Sequence, residues 1–114
     1  MLPKQYRLKK RSAFAATYKL GKAVHKDGIT VFIGKDNNTN NETKVGFVVS
    51  KKVHKRAVKR NLIKRRMRES YRLLIKNSKV NNKYLSLIFV GSSKLLNKNF
   101  NEINNAVKYL VSKI

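Results

Sequence analysis

Residues 56–72, RAVKRNLIKRRMRESYR, carry eight cationic side chains, a single carboxylate at Glu69 and a lone amide at Asn61. A guanidinium presents a planar fork of donors that suits phosphate oxygens and base edges, whereas a lysine acts as a point charge. The amide of Asn61 can donate and accept against a base or a ribose. The chemistry on offer is recognition of a polyanion. Placed at about 100° per residue, Ile63, Met67, Ser70, Tyr71 and Leu74 share one arc, and Asn61, Lys64, Arg65, Arg68 and Arg72 share another. The segment is therefore an amphipathic helix with an almost purely cationic polar side. A merely solvated face would mix signs, because like charges four apart weaken a helix. Asn61 near the helix start also suits a local cap. Glu69, four residues after Arg65 and three before Arg72, can pair along the helix and relieve repulsion locally.

Hydrolytic chemistry is not visible in the same way. A protein nuclease needs clustered carboxylates for metals, or a histidine beside a carboxylate for proton transfer. Here Asp27, Asp36, Glu42, Glu69 and Glu102 fall on different segments. His25 and Asp27 read as part of a turn, and His54 stands among lysines. No catalytic and no metal-binding residue is expected in this chain. The absence of cysteine excludes disulfides and thiolate metal sites.

The elements that must position the basic run follow from periodicity. Ser12 suits an N-cap for a short helix over AFAATYKL, with Gly21 as its stop, and Phe14 and Tyr18 share a face of that helix. GITVFIG alternates Ile29, Val31 and Ile33 against Thr30 and Phe32, the period of a half-buried strand. KDNNTNNETK reads as a hairpin loop to a second long strand, KVGFVVSKKV, on which Val48 and Ser50 point to one side. After the basic helix comes a buried strand, YLSLIFVG, and then a helix that places Phe100, Ile103, Val107, Leu110 or Val111, and Ile114 on one face. The order is α-β-β-α-β-α, helices laid on a sheet within a single domain spanning 1–114.

Composition narrows the partner. The 114 residues carry 28 Lys and Arg against 5 Asp and Glu, a net charge of +23, with 41% hydrophobic residues. That is too apolar for a disordered basic tail and suits a globular domain. The charge calls for a polyanion: RNA, DNA or an anionic membrane surface. No apolar run resembles a signal peptide or is long enough for a bilayer, and the basic helix lacks the broad apolar face of a membrane-surface helix, so a cytoplasmic protein without a membrane role is expected. A DNA-binding role would call for a recognition helix with mixed base-reading residues or a dimer surface, and neither is visible.

The run Arg60-Asn61-Leu62-Ile63-Lys64-Arg65-Arg66-Met67-Arg68-Glu69 closely resembles the signature of the protein-subunit family of bacterial ribonuclease P. RLKKRSAF is similar to that family's N-terminal basic-aromatic segment, and VGFVVSKKV to its strand ending in Ser-Lys-Lys. The resemblance spans essentially the whole chain. It implies an α/β (α+β) sandwich in a single RNA-binding domain, with a left-handed β-α-β crossover, an exception to the right-handed rule. It implies a ribonucleoprotein endoribonuclease that removes the 5′ leader of precursor tRNA, with hydrolysis by an RNA subunit and its Mg²⁺, and no cofactor intrinsic to this chain. Arg60, Asn61, Lys64, Arg65 and Arg68, with Arg56 and Arg72 on the same run, would meet the RNA subunit. Phe14, Tyr18 and Phe32 would hold the single-stranded leader, with Val48 and Ser50 completing the cleft and Lys51 and Lys52 at its rim. Base stacking on an aromatic face contributes about 1–3 kcal/mol and tolerates any sequence, as variable leaders require. Ile29 departs from related sequences, which often carry an aromatic there, and bears on the width of the stacking surface. No protein partner is implied. The alternative is a ribosomal or other structural RNA-binding protein without a role in tRNA processing, which composition alone would favour.

Overall fold

In the computed structural model, which describes residues 2–114, the alternation in Ile29–Ile33 produces a strand with Ile29, Val31 and Ile33 buried and Thr30 and Phe32 half-buried on the opposite face. It is the second of four strands: β1 (Ala23–Lys26), β2 (Ile29–Ile33), β3 (Lys44–Val48) and β4 (Ser86–Gly91). Three α-helices accompany them: α1 (Arg11–Lys19), α2 (Ala57–Lys76) and α3 (Phe100–Ser112). The predicted six elements are present, and β1 is an addition. The segment around His25 is that strand and not a turn. Only Asp27 and Gly28 form the turn, with φ of 49° and 92°, the positive values that a two-residue hairpin loop demands.

The sheet order is β1-β2-β4-β3, with β1–β2 and β2–β4 antiparallel and β3–β4 parallel. The Asn-rich segment 34–43 is therefore not a hairpin loop, because β4 lies between the two strands it joins. Asn37 organises it instead, donating to the carbonyls of Asn41 and Asn82. The parallel β3–β4 pair requires a crossover, and α2 supplies it.

One face of the sheet carries the hydrophobic core. Ile29, Val31, Ile33, Val45, Leu87 and Phe89 meet Ile63, Met67, Tyr71 and Leu74 of α2 and Ile103, Ala106, Val107 and Leu110 of α3. Phe47 stacks on Phe89 at 5.6 Å between centroids, and Tyr71 tilts against Phe89 at 5.8 Å. Every residue assigned to the buried arc of α2 is buried, polar Ser70 included; its hydroxyl donates to the Arg66 carbonyl. α3 opens with a capping box, Asn99 accepting from the Glu102 amide while the Glu102 carboxylate accepts from the Asn99 amide.

The other face is covered only in part, by α1 and the N-terminal segment. Leu8 donates its amide to the Val45 carbonyl, closing a short stretch of the β3 edge. α1 starts one residue before the predicted cap, with Lys10 at the N-cap and no side-chain cap, and Gly21 follows it with φ of 70°.

Candidate nucleic-acid interface

α2 presents its charges to solvent as its sequence demands. Val58, Asn61, Leu62, Lys64, Arg65 and Arg68 line one shallow hollow along the helix, and Val58 is 75% exposed at its edge. The first turn of α2 has no acidic residue and no capping side chain, in contrast to α3. The positive end of the helix dipole thus adds to the side-chain charge. Asn61 lies beyond the first turn and does not cap the helix; it is exposed.

The cations of the run are not equivalent. One guanidinium nitrogen of Arg60 donates to the carbonyls of His54 and Lys55, each at 2.8 Å, and the Arg56 amide donates to Nδ1 of His54 at 3.0 Å. Together these bonds fix the approach to the helix start over residues 54–60, and Ser50, Lys51 and Lys52 just before it are exposed. Arg66 points inward and donates to the Lys98 carbonyl at 3.0 Å, tying α2 to the approach of α3. Arg72 grips Glu69 with two bonds of 2.9 and 2.6 Å. These hydrogen bonds hold the Glu69 carboxyl below the usual carboxylate range and raise the Arg72 guanidinium. Lys64, Arg65 and Arg68 have no hydrogen bond or ion pair from their side chains among the described residues and present their donors outward.

On the opposite face of the sheet, Phe32 and Tyr18 meet edge to face at 4.9 Å between centroids. Burial raises the Tyr18 phenol above its ordinary value. The Phe14 ring lies over Gly46, where a Cβ would come within 2.6 Å of two ring carbons. Across the strands, Phe32 aligns with Ile88 and Gly46, and Thr30 aligns with Val90 and Val48. Ile88 is buried, whereas Thr30, Val90 and Val48 are half-buried. The result is a cleft with a floor of strand side chains and a wall of α1 aromatics. Val48 belongs to the floor. Ser50 does not share its strand, because β3 ends at Val48 and Ser50 opens the following turn by accepting from the Val53 amide. Ile29 faces the core on the far side of β2, so its replacement of an aromatic leaves this surface unchanged.

The two regions meet at the β3 edge. Arg68 of α2, Phe14 of α1, Phe47 and Gly46 of β3, and Arg7 and Lys9 of the N-terminal segment line one hollow there. No carboxylate lines this hollow; Glu69 is engaged by Arg72 on α2, and Glu42 shares a separate hollow with Ala13, Ala16 and Thr17 of α1. Among the described residues no three His, Asp or Glu side chains come together as metal ligands would.

Residues 2–114 match the family model described as Ribonuclease P. The chain belongs to the ribonuclease P protein family. It is 41% identical over 108 residues to the ribonuclease P protein component of Clostridium kluyveri, covering 95% of this chain and 93% of that protein. It is 35% identical over 112 residues to the component of Clostridium novyi, covering 98% and 96%. The solved ribonuclease P protein of Staphylococcus aureus superposes with a TM-score of 0.79 at 28% identity, over 95% of this chain and 94% of that one. The Thermotoga maritima protein does so with 0.77 at 25% identity, over 95% and 96%. No helix among the described residues is long and apolar enough to cross a membrane.

Three further side chains not assigned to the site from sequence share this partly covered sheet face: Thr30, Val90 and His25. The His25 ring is hydrogen-bonded to the Thr30 hydroxyl at 2.9 Å and extends the cleft floor past Phe32. Strand alternation already sets Thr30 beside Phe32, whereas His25 and Val90 are legible only with the β1–β2–β4 register.

Proposed function

We propose that this chain is the protein subunit of a cytoplasmic ribonuclease P that removes the 5′ leader of precursor tRNA, and that an RNA subunit with bound Mg²⁺ performs the hydrolysis. Lys64, Arg65 and Arg68, with Asn61 among them and Arg56, Arg60 and Arg72 flanking, hold phosphates of the RNA subunit on α2. Arg60 and Arg72 offer only their remaining donors, since part of each guanidinium is engaged within the protein. Phe14, Tyr18 and Phe32 hold the single-stranded leader over the floor made by Val48, with Lys51, Lys52 and Ser50 beside the path of its phosphates.

The observation that carries this reading is the hollow at the β3 edge, shared by Arg68 and Phe14. A strand leaving the cationic helix enters the aromatic cleft without crossing an acidic surface. Substrate with a leader then gains contacts that the mature product lacks, and stacking makes them tolerant of sequence.

The test is cleavage of precursor tRNA at low Mg²⁺ by the cognate RNA subunit alone, by the protein alone and by both. The expected result is cutting only where the RNA is present, greatly improved by the protein. An RNA activity unchanged by the protein would favour a structural RNA-binding protein, and cleavage by protein alone would reveal an active site in this chain. The division of labour has its own test. Arg68→Ala is expected to weaken assembly with the RNA subunit, and Phe32→Ala to weaken binding of leader-bearing substrate, each by about tenfold or more for a lost charged contact or stacked base. Indistinguishable effects in the two assays would sink it.

A further inference from the structure

Helix α1 carries both aromatic walls of the cleft, yet the only residue it buries is polar: Thr17, 2% exposed. A nine-residue helix is not stable by itself and must be held by its contacts. Three contacts fix it to the sheet. Phe14 lies over Gly46, Tyr18 meets Phe32, and between them the Thr17 hydroxyl meets the Ser86 hydroxyl of β4 at 2.6 Å. The Thr17 hydroxyl donates its one proton to the Ala13 carbonyl at 2.8 Å, which can only accept. Ser86 must therefore be the donor to Thr17, and the pair has a single consistent direction.

The seat is built for this bond. Ser86 is 8% exposed, and Gly34 presses so closely on it that any Cβ at position 34 would overlap the Ser86 hydroxyl. The Gly34 amide donates to the Ser86 carbonyl at 2.8 Å, so both ends of the seat are fixed to the sheet. A buried hydroxyl pair is directional in a way that aliphatic packing is not. It fixes the rotation of α1 about its own axis.

We propose, on the reading of the cleft given above, that Thr17 and Ser86 are positioning residues for leader binding: their hydrogen bond sets the roll of α1 and so aims Phe14 and Tyr18 at the leader. Neither side chain touches the leader. Rolling the helix by a fraction of a turn moves both rings off the row formed by Phe32, Ile88 and Gly46.

The experiment compares Thr17→Val, Thr17→Ser and Ser86→Ala in the holoenzyme, with two readouts. One is the affinity ratio for precursor tRNA over leaderless tRNA. The other, on the protein alone, is the ring-proton shifts of Tyr18 and Phe32, which report their edge-to-face contact. Thr17→Val leaves the Ser86 hydroxyl buried without an acceptor, and the affinity ratio is expected to fall by about tenfold while Thr17→Ser stays within about twofold. The ring shifts are expected to move in Thr17→Val and Ser86→Ala, with affinity for the RNA subunit unchanged. Ring shifts that stay in place in both variants overturn the positioning role, whatever the affinity ratio does. Ring shifts that move with no change in the ratio support the positioning role and sink the leader assignment of the cleft instead. Should Thr17→Val fail to fold, Ser86→Ala carries the same two readouts.

Discussion

At the scale of single residues, a cation is informative only together with what it touches. Arg65 and Arg66 are neighbours of one type, but Arg66 reaches the Lys98 carbonyl and Arg65 faces outward. Arg66→Ala is expected to destabilise the fold by about 1–3 kcal/mol, the cost of a buried-side hydrogen bond to a charged donor, and to affect RNA affinity less than Arg68→Ala. Urea denaturation beside a binding titration checks this, and the reverse ranking would overturn it. Tyr71 offers a prediction in pH. Burial pushes its phenol well above the ordinary value, with Tyr6 nearby adding to the shift. The folded state keeps Tyr71 neutral while the unfolded chain ionises near pH 10, about the ordinary tyrosine value. Its contribution is complete below that pH and is lost as pH rises above it. Tyr71→Phe is expected to flatten the loss of stability above pH 10, and an equally steep loss in the variant would assign the effect to other groups.

At the scale of elements, long periodic segments were legible and short or non-local ones were not. The two faces of α2 and the apolar side of α3 follow from spacing alone, because a 3.6-residue period over 20 and 13 residues leaves little room for another reading. β1 escaped because it has four residues, of which Ala23 and His25 are exposed, and its neighbour is the Asp27–Gly28 turn. The position of β4 between β2 and β3 was hidden because strand order is set by tertiary pairing and not by any local pattern. The cleft was legible in its aromatics, but not in Thr17, since a threonine on a short basic helix reads as surface. Gly46 was also silent in sequence, although its missing side chain is what lets the Phe14 ring approach the sheet. Gly46→Val is expected to lift α1, lower stability by about 1–3 kcal/mol through overpacking and reduce the preference for leader-bearing substrate. Thermal denaturation and the affinity ratio measure the two effects, and a variant normal in both would show that the approach is not tight.

At the scale of the whole molecule, the charge of +23 is spread over elements that fold against one another. Among the described residues only Lys26–Asp27 and Arg72–Glu69 form ion pairs, so most of the repulsion is met by nothing within the chain. Anions that bind the folded surface better than the unfolded chain must then stabilise it. Sulfate or phosphate is expected to raise the melting temperature, with a gain of about 2.7 kcal/mol at a hundredfold excess over its Kd. A melting temperature indifferent to these anions would count against the cationic surface as a binding site.

The strand order has a consequence for how the chain comes into being. β4, at the centre of the sheet, is the last strand to be synthesised, and α2 precedes it. While the chain emerges from its N-terminus, the β1–β2 hairpin can close by itself, but β3 has no strand neighbour until residue 91 is out, and α2 lacks its α3 partner until later still. For that interval the most cationic segment of the protein is presented without its sheet, in surroundings rich in nucleic acid. The birth order of the strands thus postpones the seating of the basic helix until the inner strand of the sheet has been made.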